Sequence, residues 1–155
     1  MWERLRRYRA LDAQSRALFW RAVRLLPRIA LSLRLRGYAR TEASLHSRSM
    51  AYPDKLPTQQ EVALGITKTA RMVRSASHFG PFQATCLGQS LTLWLLLQQQ
   101  NISSAIKIGV RKNAGRLEAH AWVERNGIAL NETDAVHEHY APFEREFANT
   151  PPEPS

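Results

Sequence analysis

The run Leu91–Leu97, "LTLWLLL", constrains the fold more than any other part of this chain. It is apolar nearly all the way round a helix, and such a helix belongs in the middle of a core rather than on a surface. The residues in front of it, Ala84-Thr85-Cys86-Leu87-Gly88-Gln89, place the one cysteine of the chain where that helix begins. "QQQN" at 98–101 closes it. A helix of this kind needs cover on every side, and the flanking sequence supplies it. Upstream, Leu18, Ala22, Leu25, Ile29 and Leu33 recur at the 3,4 spacing of an apolar helix face, widened by Phe19, Leu26 and Ala30. Pro27 is expected to kink this helix or to start a second one. Thr58 and Glu61 have the spacing of a capping box, and Val62, Ile66, Ala70 and Val73 follow on one face. This predicts a helix to about Ser77, with Gly65 a mild liability. Residues 41–57 are polar, end in prolines and read as a connector.

Downstream the period changes from helical to two. Ile106, Ile108 and Val110 alternate with polar or small residues, which predicts a half-buried strand. "GRLEAHAWVERNGIALNE" then reads as a β-hairpin turning at Asn126-Gly127. Helices, a buried helix and then consecutive strands give an α+β fold with an antiparallel sheet packed on the central helix. With 155 residues there is room for one main domain. We divide the chain into a basic amphipathic helical arm (1–45), a main domain (46–148) and a disordered tail (149–155).

Charge is unevenly spread. Residues 1–40 hold eleven Arg against Glu3 and Asp12, which is +9 and equals the net charge of the whole chain. The basic character therefore belongs to the arm, where Arg21, Arg24 and Arg28 form a stripe apart from the apolar face. That stripe reads as a solvated face, a docking surface for an acidic partner, or a membrane-surface helix. Few aromatics are interleaved with the arginines and no DNA-binding motif follows, which argues against a nucleic-acid-binding module. The N-terminus has no secretion-signal pattern, and no segment reaches the roughly 18 apolar residues of a membrane span. One cysteine excludes an intrachain disulfide and a multi-thiolate metal site, and a free thiol suits the cytosol. His137 and His139 have no helical metal-ligand spacing. His46 and His78 fall in polar connectors.

A lone cysteine is ordinarily a buried structural residue. Cys86 has a second reading as a nucleophile. The free N–H groups and positive end of a helix N-terminus stabilise a thiolate, and the same N–H groups can hold an oxyanion. In the 117–124 strand, His120, Trp122 and Glu124 share one face, so a base stands beside an aromatic ring. The hairpin supplies an acceptor for the second ring nitrogen in either of two registers. A two-residue loop pairs Trp122 with Asn131, on the His120 face. A three-residue loop with Gly127 as a bulge pairs His120 with Glu132. Cysteine, histidine and acceptor together follow the logic of papain-like enzymes.

Five stretches, "LLPRIALSLRLRGY", "TCLGQSLTLWLLL", "IKIGV", "HAWVERNG" with "LNE", and "YAPFE", resemble the transglutaminase-like leader peptidases of lasso-peptide biosynthesis over residues 10–145. The resemblance implies a papain/transglutaminase-like fold and a bacterial cytoplasmic cysteine protease that removes the leader from a ribosomally made precursor. It implies Cys86 as nucleophile and His120 as general base. The family's third member is an aspartate just after the second hairpin strand. Glu132 stands there and is favoured, with Asn131 and Asp134 as alternates. The backbone N–H of Cys86 would hold the oxyanion, with Gln83 a further donor. The resemblance implies the precursor's leader and a small leader-recognition protein as partners, with the lasso cyclase acting afterwards, and no cofactor or metal. Trp122, Arg21, Arg24 and Arg28 are the residues expected to meet substrate or partner. A transglutaminase-like amide or acyl transferase is the alternative reaction on the same fold.

Overall fold

The structure, a computed structural model, describes residues 10–49, 56–79, 84–132 and 136–142, without the side chains of residues 137 and 142. Helix α1 spans Ala13–Ser49, α2 Gln59–Ser77 and α3 Cys86–Gln98. Strands β1 (Ala105–Asn113), β2 (Arg116–Arg125) and β3 (Ile128–Ala129) follow, then a single helical turn α4 (Val136–His139) and β4 (Ala141–Pro142). The expected disordered tail lies outside the described residues. Among the described residues no helix is long and apolar enough to cross a membrane.

Helix α3 is the centre. Every residue from Leu91 to Leu97 is buried, in one core with Leu18, Ala22, Leu26 and Ile29 of α1 and with Met72 and Val73 of α2. From residue 13 onward the basic arm is thus a layer of that core. Thr58 caps α2 as its spacing predicts. Its Oγ1 accepts from the Glu61 N–H at 3.3 Å, and Glu61 Oε2 accepts from the Thr58 N–H at 2.7 Å.

Two features of α1 differ from expectation. Pro27 does not start a second helix but lies inside this one, and the break falls at Gly37, whose φ of 76° with ψ of 178° suits only glycine. Buried Ala22, Leu26 and Ile29 on both sides of Pro27 hold the helix against the roughly 3 kcal/mol that an interior proline costs. Residues 41–49, expected as connector, are helical. Thr41 Oγ1 donates to the Gly37 carbonyl and lies 2.8 Å from Ser32 Oγ, so polar residues that suggested a loop close a corner instead. Beyond it Leu45 is buried and the His46 ring packs edge-on against Trp94 at 4.8 Å. His46 is therefore not in a connector.

Gly65 sits where the segment around Ile102 packs closely on α2. A Cβ there would come within 2.8 Å of Ile102 Cδ1.

The four-stranded sheet is antiparallel in the order β3-β2-β1-β4. Ala114-Gly115 and Asn126-Gly127 make the two turns, each with positive φ at both positions, as two-residue hairpin loops require. Glu124 pairs with Ala129, so the Asn126-Gly127 hairpin closes in the two-residue register. Ile106 and Val123 face α3, whereas Trp122 and Ala129 build a second, smaller core with Val136 and Tyr140 on the other face.

Candidate active site

Cys86 is the first residue of α3 and is half-buried. Thr85 precedes it in extended geometry as N-cap, and its side chain accepts from the Gly88 N–H at 3.1 Å. That leaves the N–H groups of Cys86 and Leu87 for another acceptor, because the first turn of a helix has no internal one. Gln89 braces the same turn by donating from Nε2 to the Ala84 carbonyl at 2.9 Å.

One turn further along, buried Ser90 fixes α3 to the sheet. Its hydroxyl donates to the Ala121 carbonyl at 2.9 Å and accepts from Asn131 Nδ2 at 3.2 Å. Asn131 Oδ1 in turn accepts from the Val123 N–H at 2.8 Å. At the far end, Trp94 Nε1 donates to the Ser104 carbonyl, just ahead of the Ala105 that pairs with Glu124. Helix α3 therefore runs along β2 in the same direction. Cys86, four residues before Ser90, lies at the end of the sheet that carries His120.

His120 is half-buried, and its Nε2 lies 3.0 Å from Glu132 Oε1. The ring is stacked with Trp122 at 6.4 Å between centroids and tilted against Tyr140 at 5.2 Å. Arg111 lies 4.8 Å from the Tyr140 ring centre and is paired with Glu118. Hydrogen bonds from Arg111 and then Asn113 hold the Glu118 carboxyl below its usual range. Gly109 is the strand partner of His120, and a Cβ there would meet Tyr140 Cβ at 2.8 Å and the Trp122 ring at 2.9 Å. The close approach of two rings beneath the imidazole is possible only over a glycine.

The Glu132 contact does not arise from the three-residue closure that favoured it. The ladder stops where Leu130 N–H donates to the Val123 carbonyl, and the Asn131 side chain occupies the next position. Released from the ladder, the following residue turns its carboxylate to His120. Asn131 faces Ser90 and Val123 instead of the imidazole, and Asp134 and Gln83 lie outside the described residues. Trp122, expected to meet substrate or partner, is 1 % exposed and forms a wall behind His120. Arg24 and Arg28 are exposed, and Arg21 donates to Gln99.

Among the described residues no hydrogen bond joins Cys86 to His120, and His120 Nδ1 has no partner. Catalytic hydrogen bonds are commonly long in ligand-free enzymes and tighten on substrate. Sequence reading missed Ser90, although its spacing of four from Cys86 puts both on one helix face. It also missed a cavity of about 640 Å³ between α2, α3 and residues 130–132, which Glu132 lines. Gln89, one turn from Cys86, lines it as well.

A comparison with protein families matches residues 22–145 to the family described as the transglutaminase-like superfamily. Neither a curated relative nor a solved structure matches the chain.

Proposed function

Because this chain belongs to the transglutaminase-like superfamily, we propose that it is the cysteine peptidase that cuts the leader from a lasso-peptide precursor. Membership supports a cysteine-peptidase or transglutaminase-like acyltransferase role in leader processing. The observation that favours a Cys–His–carboxylate reaction is the 3.0 Å contact of His120 Nε2 with Glu132. It commits one ring nitrogen to a carboxylate and leaves Nδ1 for the thiol, at the sheet end where Cys86 begins its helix. In this reading Glu132 is the third member, in place of Asn131 or Asp134.

The chemistry is acyl transfer. His120 Nδ1 takes the Cys86 proton, and the sulfur attacks the scissile carbonyl carbon. The carbonyl oxygen gains negative charge and is held by the free N–H groups of the first turn of α3. The C–N bond breaks as His120 returns the proton to the departing amine, the new N-terminus of the core peptide. A thioester to the leader remains. Water, deprotonated by His120, attacks it and releases the leader as a free acid while sulfur regains its proton. Glu132 holds the imidazole in position and stabilises its protonated form.

A separate leader-recognition protein would bring the precursor. The solvent face of α1 offers Arg24 and Arg28 beside exposed Leu31 and Leu35, which suits an acidic partner with an apolar strip. Arg24→Glu with Arg28→Glu would weaken that complex, and unchanged partner affinity would remove the docking reading. The peptidase itself is tested by mass spectrometry of the precursor after incubation with the partner and either the wild-type chain or Cys86→Ala. A single cut that needs Cys86 supports it. A product joined to an added amine in preference to water would identify a transferase instead.

A further inference from the structure

The cavity between α2 and α3 is a feature that the proposed reaction does not use. Its floor is apolar, made by Ala70, Val73, Leu93 and Leu130. Its rim carries Arg71 and Arg74, three apart on one face of α2. Both are exposed, and among the described residues neither guanidinium has an ion-pair or hydrogen-bond partner. Their situation differs from that of Lys68, held by Asp12, and of Arg111, held by Glu118. The one carboxylate on the wall, Glu132, is occupied by His120. Two arginines against one carboxylate leave the lining with a formal charge of +1 when His78 is neutral. The volume of about 640 Å³ falls within the range of ligand pockets.

Position gives the cavity its meaning. Gln89 on its wall is three residues past Cys86, and Glu132 touches the proposed base. The cavity therefore opens beside the reacting atoms on the α2 side. We infer that it is a specificity subsite for the peptide substrate, which takes a small apolar side chain on its floor and an acidic side chain on Arg71 and Arg74. Guanidinium–carboxylate pairs are charge-assisted and can be bidentate, so they fix register as well as adding affinity. This rests on the peptidase reading for the identity of its ligand.

The test uses the precursor peptide, fluorescently labelled, and the full chain carrying Cys86→Ala so that binding is read without turnover. Adding Arg71→Glu and Arg74→Glu is expected to weaken binding at least tenfold at low salt. One Asp or Glu of the precursor changed to Lys should restore affinity to the reversed protein and weaken it for the parent. Arg71→Gln with Arg74→Gln serves if the reversed pair fails to fold, with an expected loss of threefold or more. Affinity within twofold of the parent for a folded variant, or no acidic position that compensates, overturns the subsite. So does a precursor that binds neither protein. Charge-dependent binding without Cys86-dependent cutting by the wild-type chain would retain the subsite and remove the peptidase reading.

Discussion

The two faces of the sheet hold their candidate catalytic groups by different means. On the α3 face the nucleophile position is set by close packing. Leu91–Leu97 are buried on every side, and Ser90 ties the helix to β2. On the other face His120 rests on a thin assembly of Trp122, Tyr140 and Glu132, near the surface pair of Arg111 and Glu118. Burial of apolar area scales with the number of contacts made, whereas ring and ion-pair contacts depend on angle and distance. The first face should therefore lose stability when altered. The second should lose reactivity while the fold remains.

The largest expected effect is on turnover. Cys86→Ala should abolish cutting of the precursor while its thermal melt stays close to that of the wild type; cutting that survives would place the nucleophile elsewhere. Leu95→Ala should lower the stability of the fold by about 2–5 kcal/mol, as large-to-small changes do in a packed core. Urea unfolding measures this, and a loss under about 1 kcal/mol would mean that α3 is not centrally packed. Gly109→Ala tests the other face. Pushing Tyr140 and Trp122 from the imidazole should reduce kcat by about 100-fold, the order of effect of a 1 Å misplacement. Circular dichroism should show the fold retained, and a kcat within twofold of wild type would contradict the positioning account. Thr85→Ala removes the cap of the Cys86 helix and should cost about 1 kcal/mol, read by the same urea titration.

The smallest effect is electrostatic and far from both faces. A hydrogen bond from Ser15 and then one from Lys68 lower the Asp12 carboxyl from 3.8 to about 2. A depressed carboxyl contributes stability that is present above its unfolded value and lost as pH falls toward 2. The stability gap between wild type and Asp12→Asn should therefore narrow between pH 4 and pH 2. A gap constant across that interval would show that the pair is not formed in solution.

Legibility followed how local each signal is. The Cys86 helix was readable because a fully apolar run has one sensible place. The Thr58–Glu61 cap was readable because its two hydrogen bonds lie within four residues. The Asn126-Gly127 turn was readable because few residue pairs adopt positive φ twice. What escaped reading depended on distant partners. The packing of Ile102 against α2 at Gly65 joins residues far apart in sequence. Residues 41–49 looked like a loop because their polar side chains bond within the helix corner rather than to water. The His120–Glu132 contact was expected, but from a hairpin register that the chain does not adopt. It forms where strand pairing ends, and a register argument has no information beyond the last rung.

The Ser90 hydroxyl has a mechanical consequence. It belongs to the helix, accepts from the Asn131 side chain and donates to the β2 backbone, so three segments of the chain meet at one buried atom. Any sliding of α3 over the sheet must first break a satisfied hydrogen bond in a place without water to replace it. Helix and sheet are therefore tied at this point, and amides near this junction should be among the slowest to exchange with solvent. In the proposed reaction this junction holds the start of α3, with Cys86, in a set place relative to β2, the strand that carries His120.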